Sequence, residues 1–355
     1  MTSYSESNVR NELADKLQNN INNPTNDISE PLLNSENNRL TVLPIKFPKI
    51  WDAYKQQQAA IWKAEELDFS KDYDDFIKLS NDEQHFIKMV LAFFAASDTI
   101  VNINLGERFK NDVKVREAII AYSFQEYMEC VHSEVYSLQI SNIVRNNDEE
   151  KNKLFNAIRS FPCVAEKAAW ATKWIESKDS FATRLIAFAI VEGVFFSGAF
   201  CSIFWLKKRN IMPGLVASNE FIARDEGMHA SFAVLLYSML NNKLAESDVH
   251  AMFLDAVNVE TIFICESLPC ALIGMNSNHM TEYIKFVADR LLVDLGYNKF
   301  FNGTNPFDFM ESISVEGKTN FFEHRPTQYR DATIGNNSFK NEDSRKKIFV
   351  MTDDF

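Results

Sequence analysis

From Asn81 to Leu295 apolar residues return every third or fourth position, the spacing of helices that bury one face. The first of these starts at Asn81-Asp82-Glu83, whose polar and acidic residues suit a helix N-terminus, and runs through His85 to Leu105. The next is expected from about Asp112 to Val144, then one from about Val164 to Ser177 and one from Phe181 to Lys208. After a break at Pro213-Gly214 the pattern resumes over about Ser218 to Leu240, then roughly Glu246 to Leu272 and Met280 to Leu295. A shorter helical pattern covers Tyr54 to Leu67 and ends at Asp68-Phe69-Ser70. Before it, Leu40 to Trp51 carries Pro44 and Pro48 and is expected to be extended or irregular. No strand alternation and no short repeat period interrupts this pattern, so the expected class is all-α.

The ends differ from the middle. Residues 1–38 are polar and asparagine-rich and are expected to form a mobile tail; residues 39–322 form the helical domain. Residues 323–355 are expected to be a flexible C-terminal tail. Its last seven residues, Phe349 to Phe355, combine apolar and acidic side chains, which suits capture by a partner.

The run Ile186 to Leu206, followed by Lys207-Lys208-Arg209, has the length and basic flank of a membrane span. Glu192 lies inside it, among Gly193, Ser197, Gly198 and Ser202, and no second span accompanies it. A buried core helix is the better reading, with no membrane involved. Its carboxylate then needs a partner that neutralises it.

Composition narrows the function. With 46% hydrophobic residues, 355 residues bury a substantial core. A net charge of -12 argues against nucleic acid as a direct partner, because phosphate binding calls for a basic surface. The five cysteines are odd in number and form no C-x-x-C, and no N-terminal apolar segment resembles a signal peptide. Reduced, buried thiols in a cytoplasmic protein are expected.

The candidate chemistry begins at Met128 to Tyr136. Glu129 and His132 are three residues apart and Tyr136 is four beyond the histidine, so all three share one helix face. A second Glu-x-x-His stands at Glu226-Gly227-Met228-His229. Two such helices, plus one carboxylate from each of two others, is the ligand pattern of dinuclear carboxylate sites in ferritin-like bundles. Glu192 supplies one extra carboxylate. Asp68, closing Ala64-Glu65-Glu66-Leu67, is expected to supply the other. Four carboxylates then balance two divalent ions, and mixed oxygen and nitrogen ligands suit iron or manganese better than zinc.

These residues carry a resemblance to the small, radical-bearing subunit of class I ribonucleotide reductase, of the eukaryotic type. The stretches that carry it are Trp62 to Asp68, Phe93 to Asp98, Met128 to Tyr136, Val191 to Gly198, Ser218-Asn219-Glu220 and Ile222 to His229; the match runs from about Ser29 to about Phe322 and resumes in the last residues. The resemblance implies a ferritin-like helical bundle with additional helices and disordered N- and C-terminal tails. It implies two iron ions per chain, activated by O2, with Asp68, Glu129 and His132 on one and Glu192, Glu226 and His229 on the other. Tyr136 would hold a stable radical in a dry pocket walled by Phe196, Phe200 and Ile222. Trp51, Asp225 and His132 would form the inner electron–proton path, and Tyr329 would continue it. Phe349, Asp354 and Phe355 would dock on a large subunit that reduces ribonucleoside diphosphates, with the small subunit a homodimer. The family tail usually has an acid at the fourth of its last seven positions, where this chain has Thr352. The competing expectation is a di-iron oxygenase or desaturase, which needs the same ligands and a substrate cavity but no tail.

Overall fold

The computed structural model describes residues 29–267 and 270–310, and among them every regular element is helical. The expected all-α class holds. The described residues up to Phe307 make one compact unit.

The first helix, α1 (Pro48–Ala59), corrects two expectations. Pro48 is its first residue and does not extend the chain. A proline there loses nothing, because the first-turn N–H groups have no partner inside the helix. The helix also ends well before Leu67; Ala64–Glu66 is a single 3₁₀ turn, followed by the short α2 (Asp72–Phe76).

α3 (Asn81–Asn104) starts where the sequence indicates. Ser80 Oγ accepts the Glu83 amide at 3.2 Å, and the Glu83 carboxylate accepts the Ser80 amide at 2.8 Å. It continues through a π-helical turn, Leu105–Phe109, to Asp112. α4 (Arg116–Ile143) packs along α3. Two short helices, α5 (Asp148–Phe155) and α6 (Ala157–Ser160), lead to α7 (Pro162–Ile175).

The long apolar run is one helical path with a fault in it. α8 (Phe181–Ile190) passes through a π-helical turn, Val191–Phe195, into α9 (Ser197–Lys208). Of its most apolar stretch 89% is buried inside the protein, so the run is a core helix.

α10 (Pro213–Ser238) again begins on a proline, five residues earlier than expected. The Asp72 carboxylate accepts the amides of Gly214 at 2.9 Å and Leu215 at 2.7 Å, capping the helix from a distant segment. Gly214 fits because a Cβ there would lie 2.5 Å from the Asp68 carbonyl oxygen. α11 (Glu246–Thr261) runs into a third π-helical turn, Ile262–Ser267, and α12 (Ser277–Asp294) closes the bundle.

The expected N-terminal tail is too long. Leu32 is fully buried, the Lys114 amide donates to its carbonyl at 2.7 Å, and Glu30 accepts the amides of Asn241 and Asn242, both at 2.8 Å. Residues 29–38 are therefore part of the packed body. The rest of that tail lies outside the described residues, as does 311–355. The thiols also differ from expectation: Cys201 is buried, Cys163 and Cys265 are partly so, and Cys130 is exposed.

Candidate metal centre

Four helical segments meet around one buried, charged pocket. α4 contributes Glu129 and His132, the π-helical turn Glu192, and α10 Glu226 and His229. None of the five is more than 3% exposed. The fourth segment is α3, and it contributes Asp98, which is fully buried.

Asp68 is not part of this site. It is exposed, and its carboxylate accepts the Ser70 amide at 2.9 Å. The position expected for it belongs to Asp98, which joins Glu129 and His132 in one ligand group; Glu129, Glu192, Glu226 and His229 form the other. Within each group the ligand atoms lie within 4.8 Å of one another. Asp68 ends a short charged turn at the surface, whereas Asp98 lies inside an apolar helical run, as Glu192 does. The same argument that singles out Glu192, a carboxylate stranded among apolar residues, singles out Asp98.

Glu129 and Glu226 each span both imidazoles. His132 Nδ1 is 3.1 Å from Glu226 Oε1 and 3.4 Å from Glu129 Oε2. His229 Nδ1 is 2.9 Å from Glu129 Oε1 and 3.0 Å from Glu226 Oε2. Two carboxylates arranged in this way can be shared by two cations. Gln125 donates to Glu192 Oε1 at 3.2 Å. Both oxygens of Asp98 and Glu192 Oε2 are buried without a hydrogen-bond donor, so the pocket has acceptors to spare.

The electrostatics agree. Burial, reinforced by Glu129, pushes the Asp98 carboxyl well above the usual carboxylate range. Burial and then Glu226 do the same to Glu192. Burial works to lower the His229 imidazole, but the Glu129 and Glu226 carboxylates outweigh it and raise it to about 9. Four carboxylates in a dry pocket attract positive charge, and two divalent cations would supply it in full. By charge and donor type, the residues present fit a pair of divalent metal ions.

Tyr136, one turn beyond His132, is 2% exposed, and its hydroxyl has no hydrogen-bond partner. Burial and then the Asp98 charge push its phenol well above the ordinary value, so it stays protonated. Its ring stacks on Phe94 at 4.8 Å, and Phe94 in turn meets Phe200 at 5.2 Å and Phe196 at 5.8 Å. Phe196 and Phe200 thus reach Tyr136 through Phe94, which meets all three rings. Ile222 is fully buried on α10.

His132 turns its other nitrogen, Nε2, toward Asp225 Oδ2 at 3.2 Å. The tryptophan that meets this aspartate is Trp62, not Trp51. Trp62 Nε1 donates to Asp225 Oδ2 at 2.6 Å, and its ring stacks on His132 at 5.9 Å. Trp51 is half-buried on α1 beside Tyr54, one turn into a helix that the prolines were expected to prevent. Arg224 holds the other Asp225 oxygen at 3.1 Å and the Ala60 carbonyl at 2.7 Å, tying the segment before Trp62 to α10. Tyr329, Phe349, Asp354 and Phe355 lie outside the described residues.

Comparison with known proteins gives a consistent result. The profile of the family described as "Ribonucleotide reductase, small chain" matches residues 39–306. The ribonucleoside-diphosphate reductase small chain of Encephalitozoon cuniculi is 56% identical over 317 residues, 88% of this chain and 97% of that one. Its counterpart from Nicotiana tabacum is 52% identical over 326 residues, 92% of this chain and 98% of that one. Among solved structures, the ribonucleotide reductase Rnr4 homodimer from Saccharomyces cerevisiae matches with a TM-score of 0.73 at 35% identity, covering 86% of this chain and 98% of that one.

Proposed function

The chain belongs to the small-chain family of ribonucleotide reductase, and from that premise we propose how its pocket serves the reaction. As a small chain of ribonucleoside-diphosphate reductase it is an oxidoreductase that works with a large subunit. Its part is to generate an oxidising equivalent at Tyr136 and pass it on. Asp98, Glu129 and His132 would hold one metal ion, and Glu192, Glu226 and His229 the other, with Glu129 and Glu226 placed to be shared. The observation that carries this reading is a buried, unbonded phenol one helical turn from a histidine whose two nitrogens face different partners.

When bound there, two ferrous ions and O2 would supply the oxidant that a phenol requires, because no ordinary side chain oxidises tyrosine. Iron is the proposed metal, since oxygen-rich mixed ligands suit iron or manganese. The protein supplies the rest. Phe94, Phe196, Phe200 and Ile222 keep water and reductants from Tyr136. Asp225 accepts from Trp62 and meets His132 Nε2, so the imidazole is oriented with Nδ1 free for a metal. The series Trp62–Asp225–His132 is a hydrogen-bonded line leading away from the pocket, suited to moving an electron with a proton. Tyr329 would continue it toward the large subunit, where Phe349, Asp354 and Phe355 would dock. Dimerisation with a second copy and a cytoplasmic location complete the proposal.

An oxygenase acting on an organic substrate would use the same ligands, but it gives no role to the hydrogen-bonded line Trp62–Asp225–His132.

The test is reconstitution with ferrous iron and O2, followed by electron paramagnetic resonance and metal counting. The native protein should bind two irons and give a tyrosyl signal. Tyr136→Phe should keep both irons and give no such signal. The same signal in that variant would refute the assignment of Tyr136.

A further inference from the structure

One buried ion pair has no part in the ligand set. Lys167 on α7 and Glu260 on α11 are 1% and 0% exposed, and Lys167 Nζ lies 2.5 Å from Glu260 Oε2. The ammonium sits 3.7 Å from the ring centre of Phe93 and 4.1 Å from that of Phe263. Burying such a pair is costly, and well-packed apolar side chains of similar volume often serve stability as well or better.

The other bonds of the pair explain its presence. Lys167 Nζ also donates to the Phe195 carbonyl at 2.6 Å, and Glu260 Oε1 accepts the Gly198 amide at 3.2 Å. Both backbone groups belong to the fault between the π-helical turn Val191–Phe195 and α9. In an unbroken α-helix the Gly198 amide would donate to the Val194 carbonyl. Here that carbonyl accepts the Ser197 hydroxyl at 2.6 Å, and ordinary bonding resumes with the Phe200 amide on the Phe196 carbonyl at 2.9 Å. A Cβ on residue 198 would lie 2.7 Å from Glu260 Oε1, so glycine is what lets the carboxylate reach the backbone.

We propose that Lys167 and Glu260 are positioning residues that staple this helical fault open, and so fix the direction in which Glu192 presents its carboxylate. The inference rests on the metal-centre reading given above. Gln125 is the one donor to the Glu192 carboxylate, which otherwise meets only the neighbouring Glu226 carboxylate of the same pocket, so its direction depends largely on its backbone. Closing the fault by one residue would turn Glu192 about 100° around the helix axis relative to α9, out of the pocket. The same shift would carry Phe196, which lies between the two stapled groups in sequence, off Phe94.

The test uses the full-length protein with Mn(II) alone as the probe. Glu260→Ala strands a buried ammonium and risks the fold, so the decisive variant is Lys167→Met with Glu260→Leu, which keeps the packing and removes the staple. The native protein should bind two Mn(II) with a spin-coupled resonance. The double variant should melt within a few degrees of native and keep one Mn(II). Its affinity for the second should fall at least about 10-fold, with an uncoupled signal. Amide exchange at Gly198 should quicken at least about 10-fold, a local effect that general loosening would not confine there. Two Mn(II) bound with native affinity would overturn the proposal. A double variant that cannot fold would overturn it too, since the pair would then hold the whole bundle. If the native protein itself binds fewer than two Mn(II), the metal-centre reading fails instead, and unchanged Gly198 exchange in the variant would still decide against the staple.

Discussion

Two aspartates separate what a sequence pattern offers from what a fold selects. Asp68 and Asp98 both close stretches that carry the family resemblance, yet only Asp98 is buried against Glu129 and His132. Asp98→Asn should therefore cost at least the roughly 10–100-fold in metal affinity that losing a supporting partner costs, at one of the two ions. Asp68→Asn should leave both bound. Metal counting on the two variants checks this, and equal occupancy in both would contradict the ligand assignment. Glu129, His132, Glu192, Glu226 and His229 were legible because two Glu-x-x-His pairs and one stranded carboxylate are local signals. Asp98 sends the same signal as Glu192, but the charged run ending at Asp68 competes with it. Trp62 and Trp51 are a similar case. Both lie close to a helical pattern, and what tells them apart are contacts with distant residues, the hydrogen bond to Asp225, 163 residues further on, and the stack on His132. No spacing rule reaches that far.

At the scale of elements, the helices were legible and their faults were not. Periodicity located α3, α4 and the combined path of α8 and α9 to within a few residues, because their buried faces are long. It missed the proline starts of α1 and α10, because proline reads as a stop as readily as a start. It gave no hint of the three π-helical turns among the described residues, and the one at Val191–Phe195 is held by contacts from distant helices. The start of α1 shows how such distant contacts work. Glu117, on α4, accepts the amides of Lys46 at 2.7 Å and Phe47 at 3.2 Å, and also binds Arg39. Burial works to raise this carboxyl, but these bonds outweigh it and hold it below the ordinary glutamate value of 4.5. Its contribution to stability is thus complete above the unfolded value and is lost as pH falls through the lower folded one. Glu117→Gln should cost about 2 kcal/mol at neutral pH. It should also remove part of the native protein's loss of stability below about pH 4.5. Denaturant titrations at neutral pH and at about pH 4 measure both effects, and an equal cost at the two would rule out this role.

For the molecule as a whole, the charge balance of the pocket links metal content to stability. Ligands that bind the folded state alone stabilise it by mass action, about 2.7 kcal/mol for each site at a free concentration of about 100 Kd. Chelating both ions should lower the melting temperature by roughly 5–15 °C, and returning a divalent ion should restore it. A chelated protein that melts where the loaded one does would mean that the pocket holds no metal. The pocket also has an order of completion. Asp98, Glu129 and His132 lie on α3 and α4, whereas Glu226 and His229 lie on α10, much later in the sequence. As the polypeptide leaves the ribosome, Tyr136 emerges well before α10 does. Glu226, which meets both imidazoles, and His229 arrive only when the bundle is nearly finished. A nascent or truncated polypeptide thus carries Tyr136 before the pocket beside it is complete.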